Sequence, residues 1–436
     1  MTTLVICGDA RTALRGLPDG CVQCVVTSPP FFGLRDYGTA TWQGGDPICD
    51  HLPPDEAGKT DKPTAGQRSH AGRFSGKTCW KCGALRVDQQ IGLEKSPEAY
   101  IAEIVAVFRE VRRVMRTDAV AFLNLGDSYA GGGYANHKIN GPVWYAAASL
   151  DKRKDRQQKM KKACEAEGIK PKDLIMIPAR VALALQADGW WLRSDIIWHK
   201  PNPMPESTTD RPTSCHEHVF MLTKSPKYFF DAEAVKEPAV TPAGTKGAKG
   251  SKTRFEMDGV NSRPPEYANY NGTRNIRNVW PIATQPFPQA HFATFPVGLV
   301  EPCIKAATSE TGRCSVCGAP FRRITEKRDS GRTQKMADGW DTGPGGHGTI
   351  HRDGREKGET DVPVMVRVTV GWVPTCLHVD AKPVPCLVID PFGGSGTVGV
   401  VANRLGRDAI LYDLNPAYVT MAEERIEADE LKRGVS

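Results

Sequence analysis

Near its carboxyl end the chain carries an apolar strand candidate, Cys386 to Ile389, followed by Asp390-Pro-Phe-Gly-Gly-Ser-Gly-Thr397. A helix candidate from about Thr397 to Leu405, a strand at Ala409 to Tyr412 and a final helix from Pro416 come next. A strand, a glycine turn, a helix and a second strand in that order call for a parallel pair with its crossover helix on one face. The glycines let backbone amides close on a ligand, and the helix amino terminus favours negative charge there. Asp413 ends the second strand, 23 residues after Asp390, where a carboxylate can accept hydrogen bonds from a ribose diol. The spacing departs from the phosphate-cradling Gly-x4-Gly-Lys-Ser/Thr loop, so the ligand read from this turn is a nucleoside without a triphosphate. A plain acid-capped turn is the bland alternative.

The rest of the chain extends the same pattern. Strand candidates are Leu4 to Cys7, Val22 to Thr27, Val120 to Leu125, Trp191 to His199 and His218 to Thr223. A short helix is expected around Ala10 to Gly16, and longer ones at Pro97 to Met115 and Leu174 to Ala187. In the helix from Pro97, residues Ile101, Ile104, Val105, Phe108, Val111 and Val114 share a face. Strands alternating with helices predict a doubly wound, mostly parallel α/β sheet covered on both faces. The stretches 44–77 and 236–278 are polar and break the pattern, and 328–360 is glycine-rich and expected to be a flexible loop. The basic run 152–162 reads as an exposed loop or helix end able to meet phosphates. No apolar run approaches the roughly 18 residues of a membrane span, and the amino terminus lacks a signal pattern, so a cytoplasmic protein with no membrane partner is expected.

Thr27-Ser28-Pro29-Pro30-Phe31-Phe32 closes the second strand candidate. Two prolines stiffen the chain on the edge where parallel sheets bind ligands. Pro30 lacks an N–H and holds Pro29 extended, leaving carbonyls as free acceptors. Ser28 adds a hydroxyl and Phe31 a flat ring. Two acceptors and a stacking face suit a planar ring that carries an NH2 group.

Together, TSPPF near the amino terminus and DPFGGSGT near the carboxyl terminus resemble the DNA amino-methyltransferases, specifically their circularly permuted beta group. AFLNLGDSY (121–129), DIIWHKPNPMPES (195–207), HFATFP (291–296) and LYDLNPAYV (411–419) are similar to further segments of that family, with Asp413 where glutamate is more usual and Phe31 where tyrosine is commoner. The resemblance implies a permuted methyltransferase sheet that transfers methyl from S-adenosylmethionine to an exocyclic amine of a base in double-stranded DNA. It implies catalysis by Ser28, Pro29, Pro30 and Phe31, and cofactor contacts from Asp9, Phe295, Asp390, Gly393, Gly394, Ser395, Thr397 and Asp413. His199 and Lys200 follow a strand and are candidates to line the site. Serine before the prolines accompanies N4 of cytosine more often, so that atom is expected, with N6 of adenine as the alternative. A protein glutamine methyltransferase and a catalytically dead DNA-binding protein are the other classes to weigh; the first places its glycine turn first, and the second should lose Ser28 or the glycines. A cognate restriction enzyme is a further partner to consider, although no motif here speaks to one.

The chain has 13 cysteines. In a reducing compartment these are thiols or metal ligands. Cys49-x-His51 with Cys79-x2-Cys82, and Cys314-x2-Cys317 with Cys376-x-His378, each supply three thiolates and an imidazole, a tetrahedral zinc shell. Gly-Ala follows each Cys-x2-Cys pair in the manner of a knuckle turn. Two structural zinc ions are therefore expected. Cys21 and Cys24 share the spacing but lie on an alternating strand, where two thiols suffice, and Cys303 is a substitute ligand at most. The expected organisation is a first catalytic segment (1–42), a zinc insertion (43–90), central strands (91–205), target recognition (206–285), a cofactor-closing segment (286–300), a second zinc insertion (301–385) and the cofactor-binding segment (386–436). Net charge is +7, compatible with a polyanionic partner without demanding one.

Overall fold

A computed structural model of the chain describes residues 2–33, 37–51, 78–130, 168–238, 273–285, 296–337 and 359–434. Its main sheet has eight strands: β1 (Thr3–Cys7), β2 (Val22–Thr27), β3 (Met115–Leu125), β4 (Trp191–His199), β5 (His216–Thr223), β6 (Val279–Pro281), β7 (Leu387–Asp390) and β8 (Asp408–Asp413). Their order is β1-β8-β7-β2-β3-β5-β4-β6. Neighbours are parallel throughout, except that β5 runs against both β3 and β4. The glycine-turn strand β7 comes late in the chain yet pairs with β2 in the middle of the sheet.

The central strands are apolar on both sides because both sides are covered. Every residue of β2 is buried. Val25, Ala121 and Leu123 face one layer with α1 (Pro97–Val114) and α2 (Ile177–Ala187). Cys24, Val26, Val120 and Phe122 face the other, with α3 (Val297–Ala307) and α4 (Thr397–Arg404). The last helix is α5 (Pro416–Lys432). α1 starts where expected: Ser96 accepts the Ala99 amide and Pro97 occupies the first turn. Its buried stripe is Tyr100, Ile104, Val107, Phe108, Val111 and Val114, with Ile101 and Val105 only partly buried. The expected face is thus rotated slightly toward Tyr100, whose hydroxyl donates to the Pro30 carbonyl at 3.0 Å.

One expectation is overturned. Residues 321–337 and 359–374 pair as a long antiparallel hairpin, so 328–337 and 359–360 are strand rather than loop. A two-stranded ladder pairs alternate backbone groups across its strands whatever the side chains are and leaves the outward ones to water, so low apolar content does not forbid it. Arg323 anchors the hairpin to the buried Asp231 carboxylate through Nε at 3.0 Å. The basic run 152–162 and Phe295 lie outside the described residues, as does most of 236–278. No helix among the described residues is long and apolar enough to cross a membrane.

At the centre of the sheet, Thr27 Oγ1 donates to Asp390 Oδ1 at 2.7 Å, and both residues are fully buried. This bond ties the end of β2 to the end of β7. Burial pushes the Asp390 carboxyl from 3.8 up to about 7. The native state therefore holds a proton that the unfolded chain releases near pH 4. The contribution to stability is fully present below the unfolded value and is lost as pH rises through about 7, by at most about 1.4 kcal/mol per pH unit. Asp390→Asn should flatten that decline in denaturant unfolding measured between pH 5 and 7. Parallel losses in the variant and the parent would assign the decline to other groups.

Candidate active site and cysteine–histidine clusters

The sheet changes its direction of growth between β7 and β2, since β8 and β1 lie on one side and β3 on the other. Open α/β sheets bind ligands at such a switch point, beyond the carboxyl ends of the strands. Both motifs singled out in the sequence sit there.

On the β7 side the turn from Asp390 is shaped by close contacts. A side chain on Gly393 would meet Leu411 Cβ at 2.9 Å, and the Gly393 amide donates to the Tyr412 carbonyl at 2.7 Å. Gly394 and Gly396 have φ of 50° and 76°, in the left-handed region open to glycine. The Gly394 amide donates to Asp413 Oδ2 at 2.9 Å, so the two acidic strand ends are joined through the turn. Burial raises the Asp413 carboxyl. Ser395 and Thr397 are buried, and Arg425 of α5 donates to Ser395 Oγ at 2.8 Å and Thr397 Oγ1 at 2.9 Å. Those two hydroxyls brace the turn from behind, and Arg425 is a residue the motif reading missed. Asp390 Oδ1 accepts from Thr27 and from the Phe392 amide at 3.0 Å, while its buried Oδ2 accepts no hydrogen bond among the described residues.

Asp9 follows β1 beside this turn. It caps the one-turn helix Ala10–Ala13 and accepts from the Arg11 amide at 2.8 Å. Burial opposes its charge, but the Arg11 guanidinium outweighs that and holds the carboxyl below its usual range.

On the β2 side, Ser28 and Phe31 are half-buried and Pro29 is buried. Ser28 Oγ donates to Asn124 Oδ1 at 2.9 Å. The Phe31 ring lies against Gly126, where a side chain would come within 2.6 Å of the ring edge. Glycine at 126 is therefore the condition for this ring position. Asn124 Nδ2 donates to Glu217 Oε2 at 3.0 Å and to the His218 carbonyl at 3.2 Å, and Glu217 is paired with Lys200. Lys200, expected near the site, thus reaches it through two intervening side chains. His199 ends β4 and pairs with His216 across the ladder.

The cysteine–histidine sets converge as spaced. Ligand atoms of Cys49, His51, Cys79 and Cys82 lie within 4.8 Å of one another, as do those of Cys314, Cys317, Cys376 and His378. Cys49 and Cys79 sulfurs are 3.8 Å apart, and Cys82 Sγ is 3.6 Å from His51 Nδ1. A tetrahedron with metal–sulfur bonds of about 2.3 Å has edges of about 3.8 Å. A disulfide would need about 2.05 Å. Both knuckles make the same bonds: the Gly83 and Gly318 amides each donate to the first cysteine carbonyl at 2.9 Å, with φ of 74° and 72°. Cys21, Cys24 and Cys303 stand outside both groups. The first cluster adjoins the Ser-Pro-Pro strand end through the segment that follows it, since the Gly33 amide donates to the Gly92 carbonyl at 2.8 Å. The second lies at the opposite end, where Arg116 near the start of β3 donates to the Cys317 carbonyl.

A family model described as DNA methylase matches residues 22–314 and 386–424. The type II methyltransferase M.Cfr9I of Citrobacter freundii is 33% identical over 97% of this chain and 87% of its own length. The type II methyltransferase M.SmaI of Serratia marcescens is 32% identical over 97% and 90%. Among solved structures, a PvuII DNA methyltransferase described as cytosine-N4-specific aligns over 99% of this chain and 92% of that one, at 13% identity and a TM-score of 0.45. With its glycine turn and its Ser-Pro-Pro strand end joined at one switch point, the chain belongs to the DNA methylase family, the enzymes that methylate an exocyclic amino nitrogen of DNA.

Proposed function

We propose that the protein transfers methyl from S-adenosylmethionine to N4 of cytosine at a specific site in double-stranded DNA, and that it works in a restriction–modification setting. The Thr27–Asp390 hydrogen bond carries the reading, because it holds the cofactor turn and the amine-binding strand end against each other. The turn suits the cofactor: it joins the two acidic strand ends, Asp390 and Asp413, and the buried Asp390 Oδ2 has no hydrogen-bond partner among the described residues. Asp413 would hold the ribose, Asp9 the adenine end, and Phe295 the methionine end. When bound, S-adenosylmethionine supplies an electrophilic methyl group. The Ser28 oxygen and the Pro29 carbonyl would accept both hydrogens of the target NH2, holding the nitrogen partly pyramidal with its lone pair directed outward. Positioning of this kind supplies much of the rate and needs no cysteine nucleophile. Phe31 would stack on the base once it leaves the duplex.

In this reading the sheet is circularly permuted, which accounts for β7 arriving late in the chain yet standing beside β2 in the middle of the sheet. The family match omits 315–385, in keeping with an insertion that carries most of the second cluster. Residues 43–90 would be the first insertion, 206–285 the target-recognition region and 286–300 the segment closing over the cofactor. Each Cys3His set would bind one structural zinc, since four protein ligands leave no open coordination position. Serine at position 28 favours cytosine over adenine.

Four measurements test these assignments. Ser28→Ala should slow transfer about 100-fold or more and leave cofactor binding intact; full rate would place the methylated atom elsewhere. Gly394→Val, at φ 50°, should abolish cofactor binding in calorimetry while the fold persists, and unchanged affinity would remove the turn from the site. Elemental analysis should find about two zinc per chain, one fewer in Cys82→Ser or Cys317→Ser; metal-free parent protein would end the zinc reading. Base-resolution sequencing of DNA from expressing cells should find N4-methylcytosine, whereas N6-methyladenine would select the alternative.

A further inference from the structure

Four neighbouring strands carry a continuous line of hydrogen bonds behind the proposed amine site. Ser28 follows β2, Asn124 lies on β3, Glu217 on β5, and Lys200 follows β4. Ser28 bonds Asn124 at 2.9 Å, Asn124 bonds Glu217 at 3.0 Å, and Glu217 is paired with Lys200, whose ammonium stands 4.6 Å over the Trp198 ring. Asn124 is 3% exposed, so its polar atoms depend on these partners.

The line has a direction. The Asn124 amide nitrogen faces two acceptors, Glu217 Oε2 and the His218 carbonyl, so turning the amide over would oppose oxygen to oxygen twice. Its Oδ1 must therefore be the atom that faces Ser28. An amide oxygen only accepts, so the Ser28 hydroxyl hydrogen is committed to it. What Ser28 offers to an incoming group is then lone pairs alone. That arrangement welcomes an N–H and opposes a carbonyl oxygen, the group that a thymine or uracil presents where cytosine carries its amine.

We infer that Asn124 is a positioning residue for methyl transfer, which fixes Ser28 as a hydrogen-bond acceptor, and that Glu217 and Lys200 fix Asn124. The inference rests on the proposed role of Ser28 and adds what makes that hydroxyl selective for an amine. Behind it, the Lys200 ammonium keeps one Glu217 oxygen occupied and leaves the other for the amide. Glu217→Gln nearly preserves shape, but its oxygen turns to Lys200 and its NH2 meets that of Asn124. The Asn124 amide then turns over and Ser28 loses its committed acceptor.

The test compares Ser28→Ala, Asn124→Leu, their combination and Glu217→Gln in the full-length protein, with tritiated S-adenosylmethionine and unmethylated genomic DNA. Expected are a kcat about 100-fold down in each of the first two, no further fall in the combination, and a kcat about tenfold down in Glu217→Gln. The dissociation constant for S-adenosylmethionine and the melting temperature of Glu217→Gln should stay at parent values, which separates positioning from folding. Parent kcat in Glu217→Gln, or multiplied losses in the combination while Ser28→Ala is slow, overturns the inference and leaves Ser28 standing. Parent kcat in Ser28→Ala overturns the Ser28 reading and the inference with it.

Discussion

A carboxyl group taken wholly out of water sits at the middle of the sheet, and the site is organised around it. Asp390 accepts from Thr27 across the β7–β2 boundary and from the Phe392 amide within the turn. Removing such a group from solvent is costly unless it is hydrogen-bonded, which is why burial drives its proton affinity up toward 7. The cost is accepted where two chain segments 363 positions apart must keep a fixed mutual position. Everything that follows in space, the glycine turn on one side and the Ser-Pro-Pro segment on the other, inherits its placement from this junction.

The supports of the two halves differ in kind. The turn after β7 is held by close backbone packing and by Arg425, which occupies the hydroxyls of Ser395 and Thr397 from behind. The strand end after β2 is held by side chains from other elements. Tyr100 of α1 takes the Pro30 carbonyl, Gly126 makes room for Phe31, and Asn124 takes the Ser28 hydroxyl. Rigid backbone thus faces the cofactor in the proposed reading, and an oriented polar line faces the base. The cysteine–histidine clusters flank this arrangement from opposite ends of the sheet, the first close to the Ser-Pro-Pro strand end and the second near the strand starts.

Much of the fold was legible because its elements obey local rules. Strands 22–27 and 191–199 have the bounds their apolar runs suggest, and α1 begins at the capping serine and proline. Both Cys3His sets could be read because ligand spacing and the Gly-Ala knuckle are local signals. The long hairpin 321–337 with 359–374 was missed altogether, and part of it was read as a loop, since a two-stranded ladder imposes little hydrophobic periodicity. Arg425 could not be read, because nothing local announces that a helix begun 19 positions after Thr397 will donate to the Ser395 and Thr397 hydroxyls.

The sequence by itself determined most of the main-sheet strands and their flanking helices, the members of each cysteine–histidine set and the family, because each depends on residues near one another in the chain. Only the tertiary structure decided that β7 stands beside β2, that Asp390 is buried and bonded to Thr27, and that Ser28, Asn124, Glu217 and Lys200 form one line. Strand order and side-chain hydrogen bonding are set by which apolar faces must be covered together, and that requirement belongs to the whole core rather than to any segment of it.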